Sequence, residues 1–138
     1  MQKLSTLTVI PLIAAITLSV SHSANAFDLT GAWANDVSVC NKVFQRSGQT
    51  IRFRDDSEAF GSGFIFEKDR VRGKAASCVI KNRKEESKTI QLIAVCSTDV
   101  ALSTLQLSLK IIDDNNITRV FPGIEELNVK YTRCPLEK

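Results

Sequence analysis

Histidine occurs once in this chain, as His22. It lies in an apolar leader expected to be removed, so residues 27–138 contain none. A chain without histidine builds no Ser-His-Asp or Cys-His nucleophile and no His-ligated zinc site. Aromatic residues other than Phe are equally scarce, with Trp33 the single Trp and Tyr131 the single Tyr. That leaves little material for an aromatic-walled cleft of the kind that accompanies a carboxylate pair in a glycosidase. No C-x-x-C occurs, which excludes a zinc knuckle and a thioredoxin-like redox pair. Charge of one sign is also lacking. Lys and Arg number 18 against 15 Asp and Glu, a mild excess that gives no electrostatic footprint for nucleic acid.

What is present begins with an export signal. Lys3 precedes the apolar run "LTVIPLIAAITLSV" from Leu7 to Val20, and Ala24-Asn25-Ala26 offers small residues where a signal peptidase reads them. The run is shorter than an ordinary membrane span and is interrupted by Pro11. The expected cut after Ala26 is followed by Phe27 rather than Cys, which argues against a lipid-anchored product. Residues 1–26 are therefore expected to be a signal peptide and 27–138 a single β domain in the periplasm or medium, with no transmembrane segment after processing.

The four cysteines, Cys40, Cys78, Cys96 and Cys134, are an even set in a small exported chain, which favours two disulfides. Four cysteines allow three pairings. Cys78 and Cys96 lie almost symmetrically about Ser87 and are expected to face each other across a hairpin. Cys40 then joins Cys134.

The rest reads as short strands with turn signals between them. Phe27 to Ala34 opens as a strand, with Leu29, Gly31 and Trp33 on one parity. Val37, Cys40, Val43 and Phe44 recur at helical spacing behind Asn35-Asp36, which predicts a helix of two to three turns over "DVSVCNKVFQ". Thr50 to Phe53 alternates, and Asp56 to Phe60 fits a helical turn. Gly63 to Glu67 and Arg70 to Ile80 fit a hairpin about Lys68-Asp69, with Glu67 opposite Arg70. "KNRKEES" reads as a polar turn. Lys88 to Cys96 and Thr104 to Ile112 are strong strands, and "DDNN" marks a tight hairpin. Ile117 to Phe121 and Leu127 to Cys134 complete seven or eight strands with connections too short for parallel crossovers. The fold expectation is all-β: a single antiparallel meander closing into a small barrel or sandwich, with one short N-terminal helix and two disulfides.

"LTGAWAND", Leu29 to Asp36, resembles the first strand of the calycin barrels, whose lipocalin members carry Gly-x-Trp there. It is similar also to the Leu-Thr-Gly-x-Trp-x-Asn-Asp of avidins. The resemblance implies that Trp33 closes the bottom of a barrel and that Asn35 contacts a ligand. The chain departs from avidins in having a single Trp, and a helical segment where avidins continue into a hairpin. "GSGFIFE", "RGKAASC", "AVCSTD", "VFPGIEE" and "YTRCP" together resemble a group of small exported bacterial proteins without assigned function.

Candidate sites are correspondingly few. Trp33 and Asn35 are the candidate ligand contacts. Arg70, Arg72 and Lys74 form a basic outer face, extended by Lys81, Arg83 and Lys84. Phe121, Glu125 and Glu126 form an apolar tip beside acids. Asp55, Asp56, Glu58, Asp99, Glu125 and Glu126 read as solvated turn acids, and "DDNN" lacks the spaced ligands of a calcium loop. No catalytic residue, cofactor or metal is expected. The interior is expected to be filled by Trp33, Phe53, Phe64, Phe66, Leu92, Leu107, Leu109, Val129 and Tyr131. The functional expectation is a periplasmic or secreted non-enzymatic binding protein whose partner is an envelope or extracellular protein or an anionic surface. The alternative is a calycin-like carrier of a small apolar ligand.

Overall fold

A computed structural model of the chain describes residues 25–136. The expected signal peptide falls, over residues 1–24, outside the described residues. Ten strands run along the chain: β1 Gly31–Ala34, β2 Phe44–Ser47, β3 Thr50–Phe53, β4 Gly63–Phe66, β5 Arg70–Arg72, β6 Ser77–Glu86, β7 Thr89–Ser97, β8 Leu102–Asp113, β9 Asn116–Val120 and β10 Val129–Arg133. Eight of them close into an antiparallel barrel in the order β1-β10-β9-β8-β7-β6-β5-β4, while β2 and β3 form a separate hairpin. Closure leaves no barrel strand with an unpaired edge. Of barrel and sandwich, the chain is a barrel.

The alternation of the strands decides what fills it. Ile90, Leu92, Ala94 and Cys96 of β7 are buried, as are Leu107 and Leu109 of β8. They pack with Trp33, Phe66, Val71, Cys78, Ile117 and Tyr131, and Phe64 and Val129 lie against this cluster. A second cluster sits outside the barrel wall. Ala32 and Ala34 of β1 and Ile65 of β4 face outward and are covered by Cys40, Val43 and Phe44, with Ile51 and Phe53 beside them. The segment between β1 and β4 therefore folds back over the barrel exterior. Phe53, expected inside, lies in this outer cluster against Phe44, ring centroids 5.0 Å apart.

Five local readings need correction. The first strand begins only at Gly31, four residues after Phe27, because Asp28 accepts from the Thr30 N–H in a local turn. The expected helix is shorter: a 3-10 turn over Val37–Val39 leads into α1, Cys40–Val43, and Phe44 already belongs to β2. Asp36 is its N-cap, accepting from the Ser38 backbone N–H at 2.8 Å. Phe44 leaves the helix because it pairs with Phe53 in the outer hairpin, whose tight turn uses Gly48 at φ 60°. Arg70 to Ile80 is two strands, because residues 73–76 form a turn closed by Gly73 N–H donating to Ala76 O. "KNRKEES" is mostly strand, since β6 continues to Glu86 and the turn is only Ser87-Lys88. The last strand begins at Val129, two residues late, after a 3-10 turn over Glu125–Leu127.

Both disulfides join the expected partners. Cys78 and Cys96 are register neighbours on β6 and β7, and Cys40 of α1 is bonded to Cys134 just past β10. The second bridge pins the outer excursion to the end of the chain. In the loop-closure account, bridges spanning 18 and 94 residues are worth about 3 and nearly 5 kcal/mol. Such bonds suit an oxidising compartment.

Candidate functional site

The two ends of the barrel differ, and the difference follows from the connections. One end carries the turns 67–69, 87–88 and 114–115 together with the incoming segment 25–30. The other, the loop rim, carries residues 73–76, 98–101 and 121–128 and the start of the outer excursion.

The turn end carries a cleft of about 500 Å³ between the incoming segment (Phe27, Leu29) and Phe66, Ile80 and Arg83, beside a capped seam. Trp33 is fully buried, and its indole N–H donates to Leu29 O at 2.8 Å. The Arg133 guanidinium carbon lies 4.3 Å from the Trp33 ring and 6.0 Å from the Phe27 ring. Its nitrogens donate to Thr30 O, Asp28 O and Asp114 O. Asp28 accepts from the Thr30 backbone N–H at 2.8 Å. That hydrogen bond and one from the Thr30 side chain hold its carboxyl below the ordinary carboxylate value against the opposing effect of burial, with smaller help from Arg133 and Arg83. Phe27 lies across this end, half-buried, 6.5 Å from Trp33. Its N–H points at Glu85 and Arg83 donates to its carbonyl.

The buried interior cluster includes Trp33, Phe66, Leu92, Leu109, Ile117 and Tyr131. Two of the bulkiest rings, Phe64 and Tyr131, meet there at 4.5 Å, and Phe64 packs edge-on to Phe66 at 5.1 Å. Trp33 takes part in this packing. Asn35 does not: it is exposed at the rim, where its side-chain oxygen accepts from the Ser62 N–H at 3.1 Å and its own N–H donates to Ser62 O. Trp33 and Asn35 are thus neighbours but one in sequence and point to different places.

The basic face is largely engaged in holding the outer excursion to the wall. Arg72 pairs with Glu67 at 2.8 Å and donates to Ile51 O of β3. Lys74 donates to Arg54 O and Asp55 O and lies 3.8 Å from Glu58. Arg70 reaches Ser77 at 3.3 Å, and Lys84 pairs with Glu86.

The rim is different. Val100 is 93% exposed, Leu102 77%, and Ile124 and Leu127 52% each. Phe121 is half-buried, its ring under the Arg119 guanidinium at 4.6 Å and its N–H donating to Asn128 Oδ1 at 2.8 Å. Glu125 and Glu126 are exposed beside it. The loops bearing these side chains are not loose. Thr98 Oγ1 accepts from the Val100 and Ala101 N–H groups, and Leu127 N–H donates to Ile124 O. Of these apolar residues only Phe121 stands among the sequence-derived candidates. The available signal for the others was an apolar triplet, Val100-Ala101-Leu102, set in a Ser/Thr turn where no alternation demands it.

Among the described residues no group of three His, Cys, Asp or Glu side chains gathers as a metal site, and all four cysteines are bonded. Asp55, Asp56 and Glu58 share one loop, Asp99 lies in another, and Glu125 and Glu126 in a third, all exposed. No helix among the described residues is long and apolar enough to cross a membrane. Comparisons with protein-family models, curated proteins and solved structures give no significant match in any of the three.

Proposed function

We propose that this is an exported, non-enzymatic binding protein that meets a partner protein in the periplasm or cell exterior through the loop rim. One observation carries the reading. The barrel interior is packed with the chain's own side chains, while Val100, Leu102, Ile124 and Leu127 stand exposed on braced loops at one end. Exposed apolar groups on fixed turns cost little ordering entropy when covered, and two such loops at one end offer a contact surface. Glu125 and Glu126 beside the tip favour a partner patch that is apolar with a basic border. Two disulfides and the leader pattern support the exported setting.

The test places a photo-crosslinking residue at Val100, Leu127 or, as a control on the barrel wall, Ile112 of the exported protein. A discrete adduct from Val100 and Leu127 but not Ile112 is expected, lost when Ile124 is changed to Asp. Equal adducts from all three positions would remove the rim from consideration.

The calycin-like carrier is the second reading. Its support is the Gly31-x-Trp33 strand opening an eight-stranded closed antiparallel barrel, as the calycin resemblance implies. It requires the interior side chains to part for a ligand.

A further inference from the structure

Phe27 N is the last backbone nitrogen before the chain leaves the barrel end toward the leader. It lies 3.2 Å from Glu85 Oε1 and 3.3 Å from Oε2, nearly centred on the carboxylate. The same Glu85 is fixed by Arg83, whose Nη2 is 2.9 Å from Oε2 and also donates to Phe27 O. Arg83 and Glu85 pair with Leu92 and Ile90 across β6–β7. They therefore share the face of those interior residues and reach over the end of the barrel. Asn25 and Ala26 are exposed, Phe27 is half-buried and Leu29 is buried. One peptide N–H gives a two-oxygen carboxylate a single proton. An ammonium in the same place gives it three and a full positive charge.

We propose that the Glu85–Arg83 pair is a dock for a free N-terminus at Phe27, and that removal of the leader at Ala26–Phe27 completes the barrel end. The reaction is hydrolysis by a leader peptidase that accepts small residues before the cut. Water adds across the amide, Ala26 leaves with the carboxylate, and Phe27 keeps the nitrogen as an ammonium. The new charge lands between the two Glu85 oxygens, while Arg83 holds the carbonyl of the same residue. Glu85 then bridges two cations, with Asp28 on the same segment and Arg133 donating to the Asp28 carbonyl beside it. A longer N-terminus leaves the neutral amide and forfeits the ion pair. Removal of even one residue beyond Phe27 carries the terminus out of reach of Glu85. The dock therefore selects one product length, and leader removal is a stabilising step as well as a release. This inference stands apart from the rim-binding reading and survives its failure.

The experiment compares disulfide-bonded protein starting at Phe27 with protein starting at Ala24, each with Glu85 and with Glu85→Gln, by thermal unfolding. The Phe27 form should melt about 4 °C higher, the size expected of one partly shielded ion pair in a domain of this length. The difference should vanish with Glu85→Gln. Should that variant fail to fold, Nα-acetylation of the Phe27 form removes the same charge from the other partner, and the midpoint should fall to that of the Ala24 form. Mass analysis of protein recovered from exporting cells should give Phe27 as the first residue. Equal midpoints for the two lengths with Glu85 intact, a difference that persists in Glu85→Gln or after acetylation, or an exported terminus at any other residue, would overturn the proposal.

Discussion

Arg133 lies over Trp33, guanidinium carbon to ring 4.3 Å, and joins the last strand to the first. The contact does three things at once. It covers the indole, it satisfies the carbonyls of Asp28 and Thr30, and through Asp114 O it ties in the β8–β9 turn. The closing seam of the barrel thus rests on one planar cation with several donors in a fixed fork, a role that a lysine cannot reproduce.

Arg133→Ala should therefore cost about 2–4 kcal/mol, combining lost stacking with carbonyls left short of donors. Arg133→Lys should recover less than half of that. Urea unfolding followed by Trp33 emission measures both. A red shift of the native emission in Arg133→Ala reports water reaching the indole. A loss under 1 kcal/mol would show that the seam is held elsewhere.

The disulfides should differ in weight. Replacing Cys40 and Cys134 by Ala should destabilise more than replacing Cys78 and Cys96, by about 1–2 kcal/mol, because the longer loop is released. It should also loosen the outer excursion first. Hydrogen exchange of β2 and β3 in the Cys40/Cys134 variant is expected to rise before that of β6 and β7. The reverse order would refute the pinning role.

Much of this fold is legible in the sequence, and the failures share a physical cause. The β4–β5 register, with Glu67 opposite Arg70, is as expected. The ion pair nevertheless goes to Arg72, the diagonal neighbour on the same face, because register fixes faces and not rotamers. Cys78 and Cys96 identify their hairpin because both lie at interior positions equidistant from Ser87. "KNRKEES" misleads because apolar alternation is a signal of what a strand buries. At the end of β6 the inward positions are Arg83 and Glu85, which meet backbone of the N-terminal segment rather than apolar core. Phe44 and Phe53 mislead for a related reason: a barrel wall with Ala32, Ala34 and Ile65 facing outward has a second core on its outside. One-dimensional parity shows that a face is buried and not which side of the wall it is on. The Asn35 placement follows from the same limit, since Asn35 lies just past the end of β1.

Gly63 is a point of close approach. A Cβ there would stand 2.2 Å from Trp33 O and 2.8 Å from Phe44 Cζ. The carbonyl belongs to the barrel seam and cannot swing aside, so Gly63→Ala should cost about 3 kcal/mol or more. The exposed turn glycine Gly123 has nothing within 4 Å of such a Cβ but holds φ at 84°, so its substitution should cost about 1 kcal/mol from backbone strain alone. Paired chemical denaturation of the two variants checks the order.

Acid should weaken the fold in a definable window. Asp28, Asp36 and Asp113 have carboxyls held below their ordinary value of 3.8, each chiefly by a backbone N–H: that of Thr30, Ser38 and Asn115 respectively. A folded value below the unfolded one means the stabilisation is fully present above the ordinary carboxyl range. It is lost as pH falls through the folded values. Stability should be nearly flat from about pH 5 to 7 and decline below the ordinary carboxyl value. Asp28→Asn should flatten that decline, as Asp28 is the member of the three that also faces Arg133 and Arg83. An unfolding midpoint that falls already between pH 7 and 5 would point to a different group.

The packing of the interior gives the prediction on which the two functional readings part. A ligand inside the barrel would have to displace Phe64 and Tyr131, which touch at 4.5 Å, or come between Phe66 and Trp33 within the same cluster. Opening that much packed apolar surface costs several kcal/mol before any contact is gained. Binding tighter than about 1 μM needs roughly 8 kcal/mol net. Titration with a fluorescent fatty acid or with biotin is therefore expected to leave Trp33 emission unchanged. Phe64→Ala supplies the control. It removes the ring that bridges Phe66 and Tyr131, and the cavity it leaves should admit a small apolar probe and quench Trp33 while the parent protein remains closed. If the parent itself binds saturably at micromolar concentration with quenching of Trp33, the interior yields to ligand. The carrier reading then replaces the rim. If only the Phe64→Ala protein binds, the parent barrel is a scaffold for what lies on its loops.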